Sequence, residues 1–295
     1  MNRLRIGLVG TGPWASTTYA PALARHPGVE LGGVWGRRPE AAAELADAHG
    51  TRAFSDVDAL FAASDAVAFA VPPDVQAPLA ARAAAAGCHL LLDKPVATTV
   101  EGARELAAAV ERAAVASVVF FTLRFAAATS AWVTEQAAAG GWFTGRADWY
   151  GAFYTPDGDA PYSSPWRASR GGLWDVGPHA LSMLLPVLGD VTAVTAAAGP
   201  RDTVHLILRH TGGASSTAAL SLTAPAKCAG LTVELRGEGG TVVMPAWEET
   251  GDAIRTAVDA LVASASSGTA HPCDARFGLR VTEILARAEE CLAAA

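Results

Sequence analysis

Short, mostly apolar runs, one of them (Ala66–Val71) continuous, alternate with alanine-rich helical stretches through the first 121 residues, and this alternation leaves few folds open. Leu4–Val9, Val29–Val34, Ala66–Val71, His89–Leu92 and Ser117–Phe121 read as strands. Trp14–Arg25, Pro39–His49 and Val75–Ala86 read as helices between them, with Pro21 inside the first and Gly87 as a stop for the third. Thr98 and Glu101 have capping-box spacing for a further helix that runs to Ala113. A strand that is apolar at every position is buried on both faces. Such strands, separated by helices, form a parallel sheet covered on each side. Residues 1–121 are therefore expected to form a doubly wound α/β domain of the dinucleotide-binding type.

Beyond residue 122 strands follow one another directly. Thr144–Tyr154, Val191–Ala198, Val204–Leu208, Ser215–Leu222, Leu231–Arg236 and Thr241–Met244 are strand-like, with Gly-rich turns between several of them. This order predicts a mostly antiparallel sheet. Helices are expected near Ser130–Ala139, Leu173–Leu188, Asp252–Ala265 and Asp274–Ala294, so residues 122–295 are assigned to a second α/β domain. The 295 residues are 51% hydrophobic, enough for two cores, and carry a net charge of −7. With no run of Lys or Arg, nucleic acid and anionic membranes are not expected as partners. Apolar stretches are too short to span a bilayer, and the first strand begins too early for a signal peptide, so a cytoplasmic protein is expected. Cys88, Cys228, Cys273 and Cys291 have no Cys-x-x-Cys spacing and read as reduced thiols, with no metal expected.

Gly10-Thr11-Gly12-Pro13-Trp14-Ala15 follows the first strand and opens the first helix. Gly10 permits the tight turn, Gly12 lets the backbone approach a pyrophosphate, and Ala15 takes the place of a third glycine at the helix–strand contact. A Gly-rich turn without ligand has the same spelling, but the strand–loop–helix context favours a dinucleotide. The second strand leads into Gly36-Arg37-Arg38. A NAD site usually has an acid at this end to bind the ribose 2′-hydroxyl. Gly36 offers no carboxylate, and the Arg pair suits a 2′-phosphate, so NADP is expected before NAD. An exposed Arg pair flanking the helix at Pro39 is the alternative.

Two further groups carry chemistry. Of 22 basic residues only Lys94 and Lys227 are lysine. Lys227 lies between Ala226 and Cys228, whereas Lys94 ends an apolar run at Leu90-Leu91-Leu92-Asp93-Lys94-Pro95. A compact ammonium on a stem that can bury suits polarisation of a hydroxyl. Gly171-Gly172-Leu173-Trp174-Asp175-Val176-Gly177-Pro178-His179 places a carboxylate and an imidazole four residues apart, on one face if the stretch is helical. A carboxylate beside an imidazole orients it and raises its basicity, and His titrates where an alcohol proton must move. A helix-terminal acid with a core histidine explains the spacing equally well.

Taken together, Gly10–Ala15, Pro72-Pro73, Asp93-Lys94-Pro95, Trp166-Arg167 and Gly171–His179 give the chain a strong resemblance to the glucose–fructose oxidoreductase, inositol dehydrogenase and rhizopine-catabolism (Gfo/Idh/MocA) family. The resemblance implies a Rossmann domain followed by an α/β domain whose open sheet forms a dimer or tetramer. It implies hydride transfer between a nicotinamide and a sugar, cyclitol or related polyol or ketone. Lys94 is then the residue on the reacting oxygen, Asp175 the orienting acid and His179 the proton-transfer residue. Gly10, Thr11, Gly12, Pro13, Trp14, Gly36, Arg37, Arg38, Pro72, Pro73 and Lys94 face the cofactor. Arg124, Trp166 and Arg167 join Lys94, Asp175 and His179 on the substrate. Asp93 stands where the family usually has Glu, Gln76 where many members have His, and Ser182 where an Asp commonly follows. The chain is short for the family, which implies trimmed loops. These departures leave open a non-sugar carbonyl or imine substrate. A cofactor-binding sensor without turnover is the alternative from another class, against which the intact Lys94, Asp175 and His179 argue.

Overall fold

A computed structural model describes residues 3–155, 164–246 and 250–294. The chain divides into two compact units, the first formed by residues 1–125 and 249–282 and the second by 126–248 and 283–295.

The first unit begins with β1 (Leu4–Val9), a π-helical turn (Ala15–Tyr19) and α1 (Ala20–Arg25). It continues through β2 (Val29–Trp35), α2 (Pro39–Ala48), β3 (Ala53–Phe54), α3 (Val57–Ala62), β4 (Ala66–Phe69) and α4 (Pro73–Ala85). β5 (His89–Asp93), α5 (Val100–Ala113), β6 (Ser117–Phe120) and α6 (Thr122–Phe125) complete this stretch. The strands form one parallel sheet in the order β3-β2-β1-β4-β5-β6. Every residue of β4 and β6 is buried, which explains their continuous apolar spelling. The order reverses between β1 and β4. That reversal opens a crevice at the carboxyl ends of these strands.

Two local expectations differ from the structure. The first helix begins with the π turn, where the Ala20 N–H reaches the Ala15 carbonyl. Pro21 has no N–H to continue an α-type ladder, which accounts for the widened turn. The cap of α5 is Thr99 rather than Thr98, its hydroxyl accepting from the Gly102 N–H. β3 and α3 lacked a usable period in the sequence because they are two and six residues long.

In the second unit, α7 (Ala127–Ala139) precedes β7 (Trp142–Tyr150), α8 (Pro165–Asp175) and α9 (Gly177–Leu188). Then come β8 (Val191–Ala198), β9 (Val204–His210), β10 (Ser215–Ser221), β11 (Gly230–Gly237) and β12 (Gly240–Val243). The sheet order is β12-β11-β7-β10-β9-β8, antiparallel except for the β7–β10 pair. β9 alternates strictly: Val204, Leu206, Leu208 and His210 are buried, and His205, Ile207 and Arg209 are exposed. The sheet therefore packs one face on its helices and leaves the other uncovered by this unit. α9 lies on the packed face, where Leu184 and Leu188 fill the space that Gly145 of β7 leaves.

α10 (Thr250–Ser267) and α11 (Ala275–Ala293) close the chain. The sequence assigned both to residues 122–295, but α10 and the first turns of α11 belong to the first unit. Ala253, Ile254, Ala257, Val258 and Leu261 are fully buried, and α10 packs on α1, β5 and β6. Full burial of each larger side chain is worth about 1.5–3 kcal/mol, which outweighs closeness in sequence.

The expected helix Leu173–Leu188 is two helices, α8 and α9, separated at Val176. Gly171 breaks α8 internally with φ +62°. Both breaks follow from close packing. A Cβ on Gly172 would lie 2.7 Å from the Ser221 backbone of β10, and one on Gly177 would lie 2.9 Å from Leu285. Asp202, in the β8–β9 turn, ties this contact together. Its carboxylate accepts from the Gly172 N–H at 3.0 Å, the Ser221 hydroxyl at 2.6 Å and the Leu222 N–H at 2.8 Å. The Thr223 N–H and hydroxyl donate to it as well. Burial pushes the Asp202 carboxyl up, but the bonds from Ser221, Thr223, Leu222 and Gly172 outweigh this and hold it below its ordinary value. A depressed folded value stabilises the fold above the unfolded value and loses that stabilisation as pH falls through the folded one. Asp202→Asn is expected to cost about 2 kcal/mol at neutral pH. The gap to wild type should narrow below about pH 4 in denaturant melts. A gap unchanged between pH 7 and pH 3 would exclude an ionised Asp202 as the tie.

Candidate active site

The carboxyl edge of the first sheet gathers most of the expected cofactor residues. Gly10 leaves β1 with φ +132°, and a Cβ there would sit 2.4 Å from the Ala70 carbonyl at the end of β4. The Gly10 N–H donates to the Trp35 carbonyl at 2.8 Å, so the same residue is fixed against β2. Around Gly12, by contrast, nothing lies within 4 Å of a would-be Cβ. The first glycine is thus required by the protein's own packing, and the second leaves open space beside the backbone. That division fits a pyrophosphate at Gly12. Pro13 then opens the helical segment, and the Ser16 and Thr17 hydroxyls donate back to its carbonyl. Trp14 stacks on Phe120 with ring centroids 6.5 Å apart, and Tyr19 meets the Phe120 ring edge-on. These aromatic contacts fix the π turn to the end of β6. Burial, with Asp93 nearby, pushes the Tyr19 phenol well above its ordinary range.

At the end of β2, Gly36 has a packing reason for its missing side chain. A Cβ there would lie 2.6 Å from Thr11 Cγ2. Thr11 occupies the place a side chain at position 36 would take. Arg37 and Arg38 are both exposed, and Arg38, the N-cap residue of α2, makes no side-chain capping bond. Pro72 and Pro73 cap and open α4 just beyond Ala70. Lys94 follows β5 on the same edge and is only 9% exposed. Its backbone N–H donates to Asp93 Oδ1 at 2.8 Å. Arg124 lies on α6, close enough to lower the titration of both His271 and Cys273. Burial is the larger influence on each, lowering the imidazole and pushing the thiol up to about 11.

The second unit brings together Trp166, Arg167, Asp175 and His179. Arg167 Nε donates to Asp175 Oδ1 at 3.1 Å, bridging the Gly171 break. The Arg167 guanidinium also stands 5.4 Å from the centre of the Trp166 ring. Asp175 ends α8, and His179 lies in the first turn of α9, where its N–H donates to the Val176 carbonyl. Both side chains are buried. The His179 ring stacks on Trp149 of β7, centroids 5.0 Å apart and planes at 29°. The Ser182 hydroxyl donates to the His179 carbonyl at 2.7 Å, a use within the helix that an Asp at this position would not supply. Sequence reasoning placed Arg167 beside the substrate without giving it a carboxylate partner, and it did not single out Trp149 or Asp202. Trp149 lies within the Thr144–Tyr154 run, and the spelling of a strand does not name the ring that one of its aromatics will stack on. Asp202 follows Arg201, which adopts φ +60°, and such a turn carries no residue signature.

Each unit offers its own chemistry. The first unit offers open backbone beside a glycine and an ammonium on a buried stem. The second offers an imidazole held by an aromatic plane and a carboxylate held by a guanidinium.

Comparison with known proteins agrees with both halves. Residues 4–121 match the model of an oxidoreductase family with an NAD-binding Rossmann fold, and residues 143–243 match the GFO/IDH/MocA C-terminal domain. The oxidoreductase YdgJ of Escherichia coli is 27% identical over 223 residues, 71% of this chain and 62% of that protein. The dTDP-3,4-didehydro-2,6-dideoxy-alpha-D-glucose 3-reductase of Streptomyces violaceoruber is 32% identical over 207 residues, 68% of this chain and 59% of that protein. The matches thus span about three fifths of the length of these two relatives. The crystal structure of GenD2 from gentamicin A biosynthesis, a complex with NAD, superposes with a TM-score of 0.85 at 24% identity, covering 99% of this chain and 95% of that one. With both of its domains matched in order, the chain belongs to the Gfo/Idh/MocA family of oxidoreductases.

Proposed function

We propose that the protein is an NAD(P)-dependent oxidoreductase acting on a CH–OH group of a sugar, cyclitol or related polyol, or on the corresponding ketone. The observation that carries this reading is the carboxyl edge of the first sheet, where open backbone at Gly12 and the buried-stem Lys94 share one face of one unit. The dTDP-3,4-didehydro-2,6-dideoxy-alpha-D-glucose 3-reductase among the relatives supports a sugar-like substrate. Gly10, Thr11, Gly12, Pro13 and Trp14 would hold the pyrophosphate, with Pro72 and Pro73 beside them. A nicotinamide held there would supply the acceptor or donor of hydride.

The remaining steps belong to side chains. Lys94 donates to the reacting oxygen and stabilises the negative charge that develops on it during oxidation. His179 removes the hydroxyl proton in that direction and returns it to the oxygen in reduction. Trp149 holds the imidazole plane, and Asp175, fixed by Arg167, orients substrate and base. Trp166 and Arg124 line the substrate. Lys94→Ala and His179→Ala are each expected to lower kcat/KM by about 10²–10⁴ on an active sugar or cyclitol, followed through the absorbance of the reduced nicotinamide. Wild-type turnover by either variant would remove that residue from the mechanism. Cofactor binding without turnover across a broad polyol and ketose panel would favour a sensor.

NADP is the preferred cofactor in this reading. Gly36 is occupied laterally by Thr11, so the edge has no place for the acid that holds a 2′-hydroxyl, and two exposed guanidinium groups stand next to it. Arg37→Ala should weaken NADPH binding at least about tenfold more than NADH binding, the size of a charged hydrogen bond or two. Fluorescence titration with both nucleotides reads this directly, and equal weakening of both contradicts it. The uncovered face of the second sheet is proposed to join copies of the chain into a dimer or tetramer.

A further inference from the structure

We propose that Gln76 is a positioning residue for Lys94. The proposal rests on the reading of Lys94 as the group on the substrate oxygen, but its first test needs no substrate. Gln76 lies in α4 and is fully buried. Its Oε1 accepts from the Asp93 N–H at 2.8 Å. Its Nε2 donates to the Asp93 carbonyl at 2.8 Å and to the Pro95 and Val96 carbonyls at 3.3 Å each. The orientation of the amide follows from its neighbours, because an N–H needs the oxygen and three carbonyls need the nitrogen. One side chain therefore grips the backbone before and after Lys94.

The sheet explains why a grip is needed there. β5 pairs with β4 only from His89 to Leu91, because β4 ends at Phe69 and its chain turns away toward Pro72. Asp93 retains β6 as a neighbour on one side, through Phe120. On the other side the Gln76 amide meets both the N–H and the C=O of Asp93. A primary amide has the donor and acceptor of a peptide group, so it stands in for the missing strand. An imidazole carries its donor and its acceptor on separate ring nitrogens that point apart, so it cannot meet the N–H and the C=O of one residue together. A carboxylate would turn an oxygen toward three carbonyls. The glutamine thus holds the turn in a way particular to its amide.

Lys94 and Lys227 are the chain's only lysines, and Lys227 is exposed on a distant turn of the sequence. Labelling lysine with ¹³C at Cε therefore gives two resonances, and Lys94→Arg removes one to assign them. Gln76→Met keeps the length and removes all four bonds. Gln76→Glu keeps the size and the acceptor for the Asp93 N–H. In both, the Lys94 resonance should shift or broaden beyond its line width while the Lys227 resonance stays in place, with a wild-type-like circular dichroism spectrum and a cooperative thermal melt showing that the variant is folded. Folded variants with the Lys94 line unmoved overturn the proposal. On an active substrate, kcat should fall about tenfold or more, as expected when a catalytic group is displaced by a fraction of an ångström, with NADPH affinity within about threefold of wild type. A moved line with unchanged kcat would keep Gln76 in its positioning role and take Lys94 out of the reaction, so the two readings fail separately.

Discussion

The first unit depends on the contact between Gly10 and the Ala70 carbonyl. β1 and β4 are neighbours at the point where the strand order reverses. A side chain at position 10 would meet that carbonyl at 2.4 Å, so the loop closes only because there is none. Once it closes, the helical segment after Pro13 begins directly over the crevice, and the end of β2 is held through the Trp35 carbonyl. The space beside Gly12, the place of Thr11 against Gly36 and the stacking of Trp14 on Phe120 all follow from this one approach. A different residue at position 10 would not weaken one contact; it would move the whole edge.

The second unit solves a related problem with a charge. Gly172 lets α8 touch the backbone of β10, but close contact alone leaves donors without acceptors. Asp202 supplies them, taking bonds from the glycine segment and from the residues that end β10. An ionised carboxylate accepts several N–H and O–H groups at once, which a backbone carbonyl does not. The fixed point lies three residues before Asp175 and seven before His179. The two side chains thus belong to a segment held by its backbone, and Arg167 and Trp149 then hold them individually.

The sequence made some of this legible and hid the rest for identifiable reasons. Buried parallel strands are written as mostly apolar runs, interrupted in β1 and β2 by the exposed Arg5 and Glu30, so β1, β2, β4, β5 and β6 were readable. β3, with two residues, was not. The spelling Gly-x-Gly marked the loop because two different physical demands both require glycine. The packing of α10 on β5 and β6 was hidden, because an amphipathic helix names its apolar face but not the sheet that covers it. The Leu173–Leu188 stretch read as one helix because periodicity does not report the break at Val176. Asp202 and Gln76 were invisible as ties, since their value comes from residues far away in the chain.

Lys94 gains its meaning from the same distinction between composition and placement. In a chain that otherwise uses arginine, a lysine at the end of β5 is a choice of shape as much as of charge. A guanidinium is a broad planar fork that would demand several acceptors around it, whereas an ammonium on an aliphatic stem threads a narrow, largely buried site and presents one point charge. Such a charge is useful only if its base is held, because a flexible four-carbon stem adds its own freedom to any looseness in the turn beneath it. Asp93 fixes the Lys94 N–H, and Gln76 fixes the peptide groups on either side. Asp93 and Gln76 are therefore the residues that hold this turn.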